Sequence, residues 1–152
     1  MRLTKQTNYA IRMMMYCDSN SGLSRVSSIA RFYSLSEQFL LKILQTLTKS
    51  GLVESVRGRN GGIRLARPAN EIGLGEIVRV TEDNFALAEC FEAGEAMCPL
   101  VRSCGLNQAL AEALDAFMSV LDNYTLADLT NNQRNLHVLL QLDASKEIPL
   151  RA

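Results

Sequence analysis

The chain has 152 residues, of which 47% are hydrophobic and 21% charged, so it can form a hydrophobic core and is not predicted to be disordered. No run of about 18 apolar residues exists, which excludes a membrane-spanning helix, and the first residues lack the long apolar stretch of a signal peptide. We therefore expect a cytoplasmic protein without a membrane partner. In that compartment, clustered cysteines more often bind metal or carry redox chemistry than form structural disulfides.

The net charge of zero hides two halves of opposite sign. Residues 1–70 contain 11 basic and 3 acidic residues, a balance of +8, whereas residues 71–152 contain 5 basic and 13 acidic residues, a balance of −8. This asymmetry favours a basic half that binds a polyanion such as nucleic acid. The alternative is that the two halves only attract each other.

The basic half predicts a helix-turn-helix. Apolar residues at 10, 13, 14 and 17 share one face of a first helix, and a second helix is predicted from Val26 to Tyr33. Ser36 can cap a third helix, which Gly51 terminates. Two helices joined by a three-residue turn are typical of a helix-turn-helix, whose second helix enters the DNA major groove by its N-terminal residues. Ser36, Gln38 and Lys42 are therefore predicted to lie at the groove.

A β-hairpin is predicted directly after these helices. The strand-like runs "LVESVR" and "GIRLAR" are joined by "GRNG", whose residues tolerate positive φ. A hairpin in this position is a wing, and its basic tip can follow a DNA backbone or enter a minor groove. Arg57, Arg59 and Asn60 are the predicted wing contacts. The alternative is a solvated hairpin whose charges only maintain solubility.

The acidic half predicts a helix at Leu74–Val80, a cysteine-containing loop and a long helix. Apolar residues on the long helix follow steps of 4, 3, 4 and 3, which indicates a narrow seam that packs against one other helix. We predict that the partner is the same helix of a second subunit, giving a homodimer; the alternative is the chain's own first helix. The seam comprises Leu110, Leu114, Phe117, Leu121 and Tyr124. Thr125 and Asp128 are predicted to form a capping box.

Three of the four cysteines lie within fifteen residues, with seven residues between Cys90 and Cys98 and five between Cys98 and Cys104. Structural zinc usually needs four ligands in closely spaced pairs, and that pairing is absent. A disulfide would leave an odd thiol. Loops of this length suit an iron–sulfur cluster, but the spacing alone leaves all three interpretations open.

The sequence resembles the Rrf-type winged-helix iron–sulfur regulators over residues 1–130. The resemblance lies in "MRLTKQTNYAIRMMMYC", "SEQFLLKILQTLTKSGLVESVRGRNGGIRLARPA", the three-cysteine loop and "LDNYTLADL". It is greatest to the rhizobial iron-regulator (RirA) branch, through "VTEDNFALAECFEAGE" and "CPLVRSCGLN". The resemblance implies that Cys90, Cys98 and Cys104 hold an iron–sulfur cluster near the dimer interface, and that its state sets the affinity for operator DNA.

The sequence departs from two branches of this family at the fourth cluster ligand. IscR-type members carry a histidine where this chain has Asn107, and NsrR-type members carry an aspartate where it has Asn8. Neutral amides are poor iron ligands. The departures lead us to expect a 4Fe–4S rather than a 2Fe–2S cluster, with one iron bound by water, a small thiol, or a carboxylate of Glu89 or Glu92.

Such a cluster would be labile, and we expect an iron-responsive repressor of iron-uptake genes. The alternatives are a nitric-oxide-sensing repressor of the NsrR type and a cluster-free thiol-redox or zinc regulator in which Cys98 and Cys104 pair on oxidation. An enzyme is disfavoured because the only histidine, His137, stands apart from any convergent His/Asp/Lys set. No catalytic residue and no small-molecule substrate are predicted.

The predicted fold is mainly α with a small β-hairpin. It comprises a winged helix-turn-helix domain at residues 1–82, a cluster-binding loop at 83–105, a dimerisation helix and cap at 106–130, and a C-terminal tail at 131–152.

Overall fold

The computed structural model describes residues 2–20, 22–91, 98 and 104–131. The regular secondary structure of these residues is helical apart from one two-stranded antiparallel hairpin, which confirms the predicted fold class. The predicted tail beyond Asn131 lies outside the described residues. The helices are α1 (Lys5–Ser19), α2 (Val26–Tyr33), α3 (Glu37–Lys49), α4 (Leu74–Thr81), α5 (Gly105–Asp122) and α6 (Leu126–Thr130), and the strands are β1 (Val53–Val56) and β2 (Gly62–Leu65).

The hydrophobic core is built around α1, which packs against α3, α4, α6 and β2. Met13 and Met14 on α1 are fully buried, and α3 adds Leu40, Ile43 and Leu47 to the same core. Burying a side chain of this size stabilises the fold by about 1.5–3 kcal/mol. The core therefore fixes α3 on α1 and directs the opposite face of α3 to solvent.

The turn between α2 and α3 follows from local sequence signals. Ser34 ends α2 in the left-handed conformation with φ 53°, and the Ser36 hydroxyl accepts a hydrogen bond from the Phe39 backbone N–H at 3.3 Å. Gly51 follows α3 with φ 72°, where a side chain would be strained. The predicted helix-turn-helix is thus confirmed, including the bounds of α2.

The wing is a short hairpin anchored at its base. Val53 pairs with Leu65 and Val56 with Gly62, and the buried Ile63 also bridges to Ser24 in the segment before α2. The reversal between the strands uses Gly58, whose φ is 114°. The tip therefore projects from a base that the core holds in place.

The C-terminal end of α5 is tied to α4. Arg79 donates two hydrogen bonds, each 2.6 Å long, to the two carboxylate oxygens of Asp122. A Cβ at Gly75 would overlap Asp122 Oδ1, so the glycine leaves room for the Asp122 carboxylate in this position. The predicted capping box of Thr125 and Asp128 at the start of α6 is present.

The prediction that Tyr124 lies on the long helix is wrong, because α5 ends at Asp122. The backbone N–H groups of Asn123 and Tyr124 donate to Val120 and Leu121, three residues back, which tightens and closes the last turn. The Tyr124 carbonyl oxygen then accepts from the Leu74 N–H at 2.8 Å. The chain therefore turns towards α4 at this point.

We predict a pH-dependent contribution of Asp122 to stability. The hydrogen bonds from Arg79 hold the pKa of Asp122 below its ordinary value, so the ionised carboxylate stabilises the folded state at neutral pH. This contribution is lost as the pH falls below about 4 and through the lowered pKa. Thermal unfolding of the wild type and Asp122→Asn should therefore give a Tm difference that is largest near neutral pH and vanishes in acid.

The matched control for this measurement is Asp115→Asn. Asp115 lies exposed on the same helix and has no ion-pair partner among residues 2–20, 22–91, 98 and 104–131. Asp115→Asn should change the Tm by less than Asp122→Asn does at neutral pH, because no ion pair is lost. An Asp122→Asn difference that stayed constant through the acid range would contradict a stabilising ion pair.

Candidate DNA-binding surface and cysteine segment

The predicted groove contacts lie together at the N-terminal end of α3. Ser36, Gln38 and Lys42 are exposed, and Gln38 and Lys42 are one turn apart on the same helix face. The first turn of a helix presents unpaired N–H groups and a partial positive charge, both of which favour a phosphate. This end of α3 therefore combines hydrogen-bonding side chains with a local preference for an anion.

An aromatic cluster supports this end of α3. The ring of Tyr9 on α1 makes edge contacts with Phe39 at 5.9 Å and with Tyr33 at 6.0 Å. The Arg12 guanidinium lies over the Tyr9 ring, 5.2 Å from its centroid. Such contacts add to the burial energy of the rings. The aromatic contacts fix the N-terminus of α3 relative to α1. The sequence pattern did not predict these contacts.

The wing tip presents cationic side chains to solvent. Arg57, Arg59 and Asn60 are exposed, and within the described part of the chain no carboxylate is paired with either arginine. Arg64 differs, because its guanidinium donates to Glu54 on the neighbouring strand at 2.8 and 2.9 Å. The two tip arginines are therefore available to phosphates, whereas the charge of Arg64 is already compensated by the carboxylate of Glu54.

One residue on the exposed face of α3 was not predicted. The helical pattern of α3 leaves Leu41 unassigned, and the structure shows it 46% exposed while Leu40 is fully buried. A helix wheel drawn from residue 37 shows Leu41 beside Gln38 and Gln45, and that signal could have found it.

The four cysteines fall into two classes. Cys17 is buried in the core, and burial raises the pKa of its thiol to about 12, so it remains protonated and is a poor metal ligand. Cys90 and Cys104 are half-buried and Cys98 is exposed, and all are free thiols. Cys90 lies in a 3₁₀ turn at Glu89–Phe91, and Cys104 is the N-cap of α5.

The donor chemistry of these three thiols fits an iron–sulfur cluster, which is bound by cysteine thiolates. Cys104 lies at a helix N-terminus, where the helix dipole favours negative charge. Among residues 2–20, 22–91, 98 and 104–131, no three Cys, His, Asp or Glu side chains converge on a metal position. Most of the loop between Cys90 and Cys104 lies outside the described residues, including Glu92; Glu89 is exposed beside Cys90.

Contacts on both sides of the cysteine segment lead back to α4. Upstream of the segment, Glu82 follows α4. Its carboxylate accepts a hydrogen bond of 2.8 Å from the backbone N–H of Thr4, which lies at the start of α1. Downstream, Asp122 at the end of α5 is held by Arg79 of α4. Since α4 also packs against α1 and α3, it connects both flanks of the segment to the winged helix.

The long helix α5 has no buried residue over its 18 positions. Leu110, Leu114, Phe117 and Leu121 of the predicted seam are half-buried by the chain itself, and Tyr124 is exposed. Beside them runs a second apolar stripe that is exposed, with Leu106 at 64% and Val120 at 55%. The exposed stripe comprises Leu106, Ala109, Ala113, Ala116 and Val120.

A family described as "Iron-dependent Transcriptional regulator" under the name Rrf2 matches residues 3–132. The chain belongs to the Rrf2 family. Rrf2 proteins are DNA-binding transcription regulators, so α2 and α3 form the helix-turn-helix of a regulator and β1–β2 is its wing. Within the described residues, no helix is both long and apolar enough to cross a bilayer.

Particular relatives of this Rrf2 protein extend the comparison. It is 63% identical over 144 residues to Protein aau3 of Rhizobium meliloti, with 94% of each chain covered. It is 42% identical over 144 residues to the HTH-type transcriptional regulator NsrR of Bacillus subtilis, covering 93% of this chain and 99% of that one. The oxidised form of Staphylococcus aureus CymR superposes with a TM-score of 0.68 at 31% identity, covering 85% of this chain and 95% of that one.

Proposed function

We propose that this Rrf2-family regulator is an iron-responsive repressor of iron-uptake genes. The observation that carries the proposal is the contrast between one buried thiol, Cys17, and three accessible thiols in the segment that leads into α5. The family description as iron-dependent supports iron as the signal. The proposed ligands are Cys90, Cys98 and Cys104.

A 4Fe–4S cluster bound by these thiolates would supply iron–sulfur bonds that restrain the segment and are lost with the iron. The protein's own residues would pass that restraint to the DNA-binding surface. Cys104 is the N-cap residue of α5, Asp122 at the far end of α5 is held by Arg79, and Glu82 holds the start of α1. A change in the segment can therefore reach α1 and α3 through α4.

We further propose that the repressor acts as a homodimer. An 18-residue helix without a buried side chain, with exposed Leu106 and Val120, is poorly stabilised by its own chain and suits a partner helix. Dimeric helix-turn-helix proteins place two recognition helices about one DNA turn apart. A shift of α5 would alter that spacing and with it the affinity for the operator.

The proposal is tested by titrating an iron chelator into anaerobically purified protein while the visible spectrum and operator binding are recorded together. We expect a brown chromophore that bleaches in step with the loss of operator binding. Operator binding that persists on the colourless protein would contradict an iron-dependent repressor. A chromophore that native mass spectrometry assigns only to a 2Fe–2S species would contradict the proposed cluster type.

Two alternatives each have a supporting comparison. The 42% identity to NsrR favours a nitric-oxide-responsive repressor, in which nitric oxide rather than iron removal would release the operator. The likeness to an oxidised CymR favours a thiol-redox regulator. A thiol-redox regulator would be colourless, and its DNA affinity would change with a thiol oxidant and reverse with a reductant.

The wing provides a quantitative prediction. Arg59→Ala should weaken binding to all DNA sequences and reduce the slope of log affinity against log salt by about one, because one phosphate contact is lost. Fluorescence anisotropy over a series of salt concentrations measures both quantities. Arg64→Ala is the matched control, since its guanidinium is compensated by Glu54 and its loss should change the slope less. An unchanged slope for Arg59→Ala would exclude this wing contact.

A further inference from the structure

Leu41 lies on the outward face of α3, among polar residues. Its exposed fraction is 46%, and Gln38 and Gln45, one turn before and one turn after it, are also exposed. Lys42 is exposed beside it. The hydrophobic residues Leu40 and Ile43 are fully buried in the core, and Leu44, one turn after Leu41, is 8% exposed. Leu41 therefore contributes little to the core of the described structure and exposes an apolar side chain on the recognition helix.

The surface beside Leu41 is mainly apolar. A shallow hollow of about 450 Å³ adjoins it, lined by Leu41, Leu44, Gln45, Thr48, Lys49 and Ser55. Two lysines, Lys42 and Lys49, flank the leucine on the same helix, and the cationic wing tip follows in the chain. A partner for this surface should present an apolar group to Leu41 and negative charge to the surrounding cations. Double-stranded DNA meets both requirements better than an apolar protein surface does.

We infer that Leu41 is a specificity-determining residue that packs against the C5-methyl group of a thymine in the major groove. That methyl is the apolar group that a base edge presents in the major groove, and it distinguishes thymine from cytosine. Gln38 and Lys42, on either side, are placed to contact neighbouring polar base edges or phosphates. The inference rests on α3 serving as the recognition helix of this Rrf2-family regulator.

The experiment removes only the methyl group from DNA. A binding site is selected from random duplexes by the wild-type protein, and each thymine in it is replaced in turn by deoxyuridine. We expect one or two positions per half-site at which the replacement lowers wild-type affinity roughly fourfold, the value for one buried methylene-sized group. Leu41→Ala should bind the thymine and deoxyuridine duplexes equally at those positions.

Lys42→Ala is the matched control, because Lys42 lies outside the lining of the hollow and should weaken binding to the thymine and deoxyuridine duplexes by the same factor, leaving the thymine preference intact. Since Leu41 is nearly half exposed, Leu41→Ala should keep the wild-type circular dichroism spectrum. Retention of the fourfold preference by Leu41→Ala, or no deoxyuridine effect in the wild type, would overturn the inference. A loss of dimerisation instead would assign the surface to a second copy and also overturn it. Failure of the wild type to enrich any sequence would overturn the sequence-specific binding on which the inference rests.

Discussion

A Cys104→Ser variant is expected to be isolated without the brown chromophore and to lose most of its affinity for the operator. Cys104 is the N-cap residue of α5, its side chain makes no capping hydrogen bond, and it is one of three accessible thiols. Its substitution removes a proposed ligand at the point where the cysteine segment meets the helix. Serine keeps the size and is favoured at a helix N-cap, so the variant separates metal binding from helix stability. Visible absorption, iron and sulfide content and operator affinity are measured on the same anaerobic preparation.

Cys17→Ala is the matched control for this experiment. Cys17 is 4% exposed in the core, and its raised thiol pKa leaves it protonated at neutral pH. The variant should keep the chromophore and the iron content of the wild type, while loss of the buried sulfur lowers the free energy of unfolding by about 1 kcal/mol.

Two outcomes would contradict the proposal in different ways. A Cys104→Ser protein with wild-type iron and colour would show that Cys104 is not a ligand. A colourless Cys104→Ser protein with wild-type operator affinity would show that the cysteine segment does not control DNA binding.

The helix-turn-helix was predictable from sequence because its determinants are local. The bounds of α2, the Ser36 cap and the Gly51 terminator all follow from residues within one or two turns of the feature that they specify. The wing was predictable for the same reason, since a hairpin is defined by its turn and by the residues on either side of it.

Contacts between residues far apart in the chain were not predictable from the sequence. Arg79 and Asp122 are 43 residues apart, and Thr4 and Glu82 are 78 residues apart, and nothing local marks either pair. These two pairs become visible only when the packing of α1, α4 and α5 is known. Leu41 differs, because a helix wheel places it beside Gln38 and Gln45 although it stands within an apolar run.

The long helix illustrates a related difficulty. Heptad spacing identified the seam at Leu110, Leu114, Phe117 and Leu121, but a spacing pattern does not say which neighbour a helix face meets. In the structure these residues are half-buried by the chain itself, and the exposed stripe beside them carries Leu106 and Val120. A dimer interface that uses α5 would therefore include the exposed stripe.

Val120→Glu tests this interface and is expected to convert a dimer into a monomer. Val120 is 55% exposed near the end of α5, so the substitution should not disturb the fold of the isolated chain. In a symmetric dimer the charge enters the interface twice. An unpaired buried charge costs about 3–5 kcal/mol, so the dimer dissociation constant should rise at least 100-fold. Sedimentation velocity measures the assembly, and circular dichroism verifies the fold.

Operator affinity should fall when the dimer is lost, because a monomer contacts only one half-site. Ser119→Glu places the same charge one position earlier, about 100° around the helix among Asp115 and Glu112, and should leave the dimer intact. If Val120→Glu remains dimeric at wild-type concentrations, the exposed stripe of α5 is not the subunit interface. A monomeric Val120→Glu protein that kept full operator affinity would instead show that binding does not depend on the spacing of two recognition helices. It would also remove the proposed route by which a change in α5 alters repression.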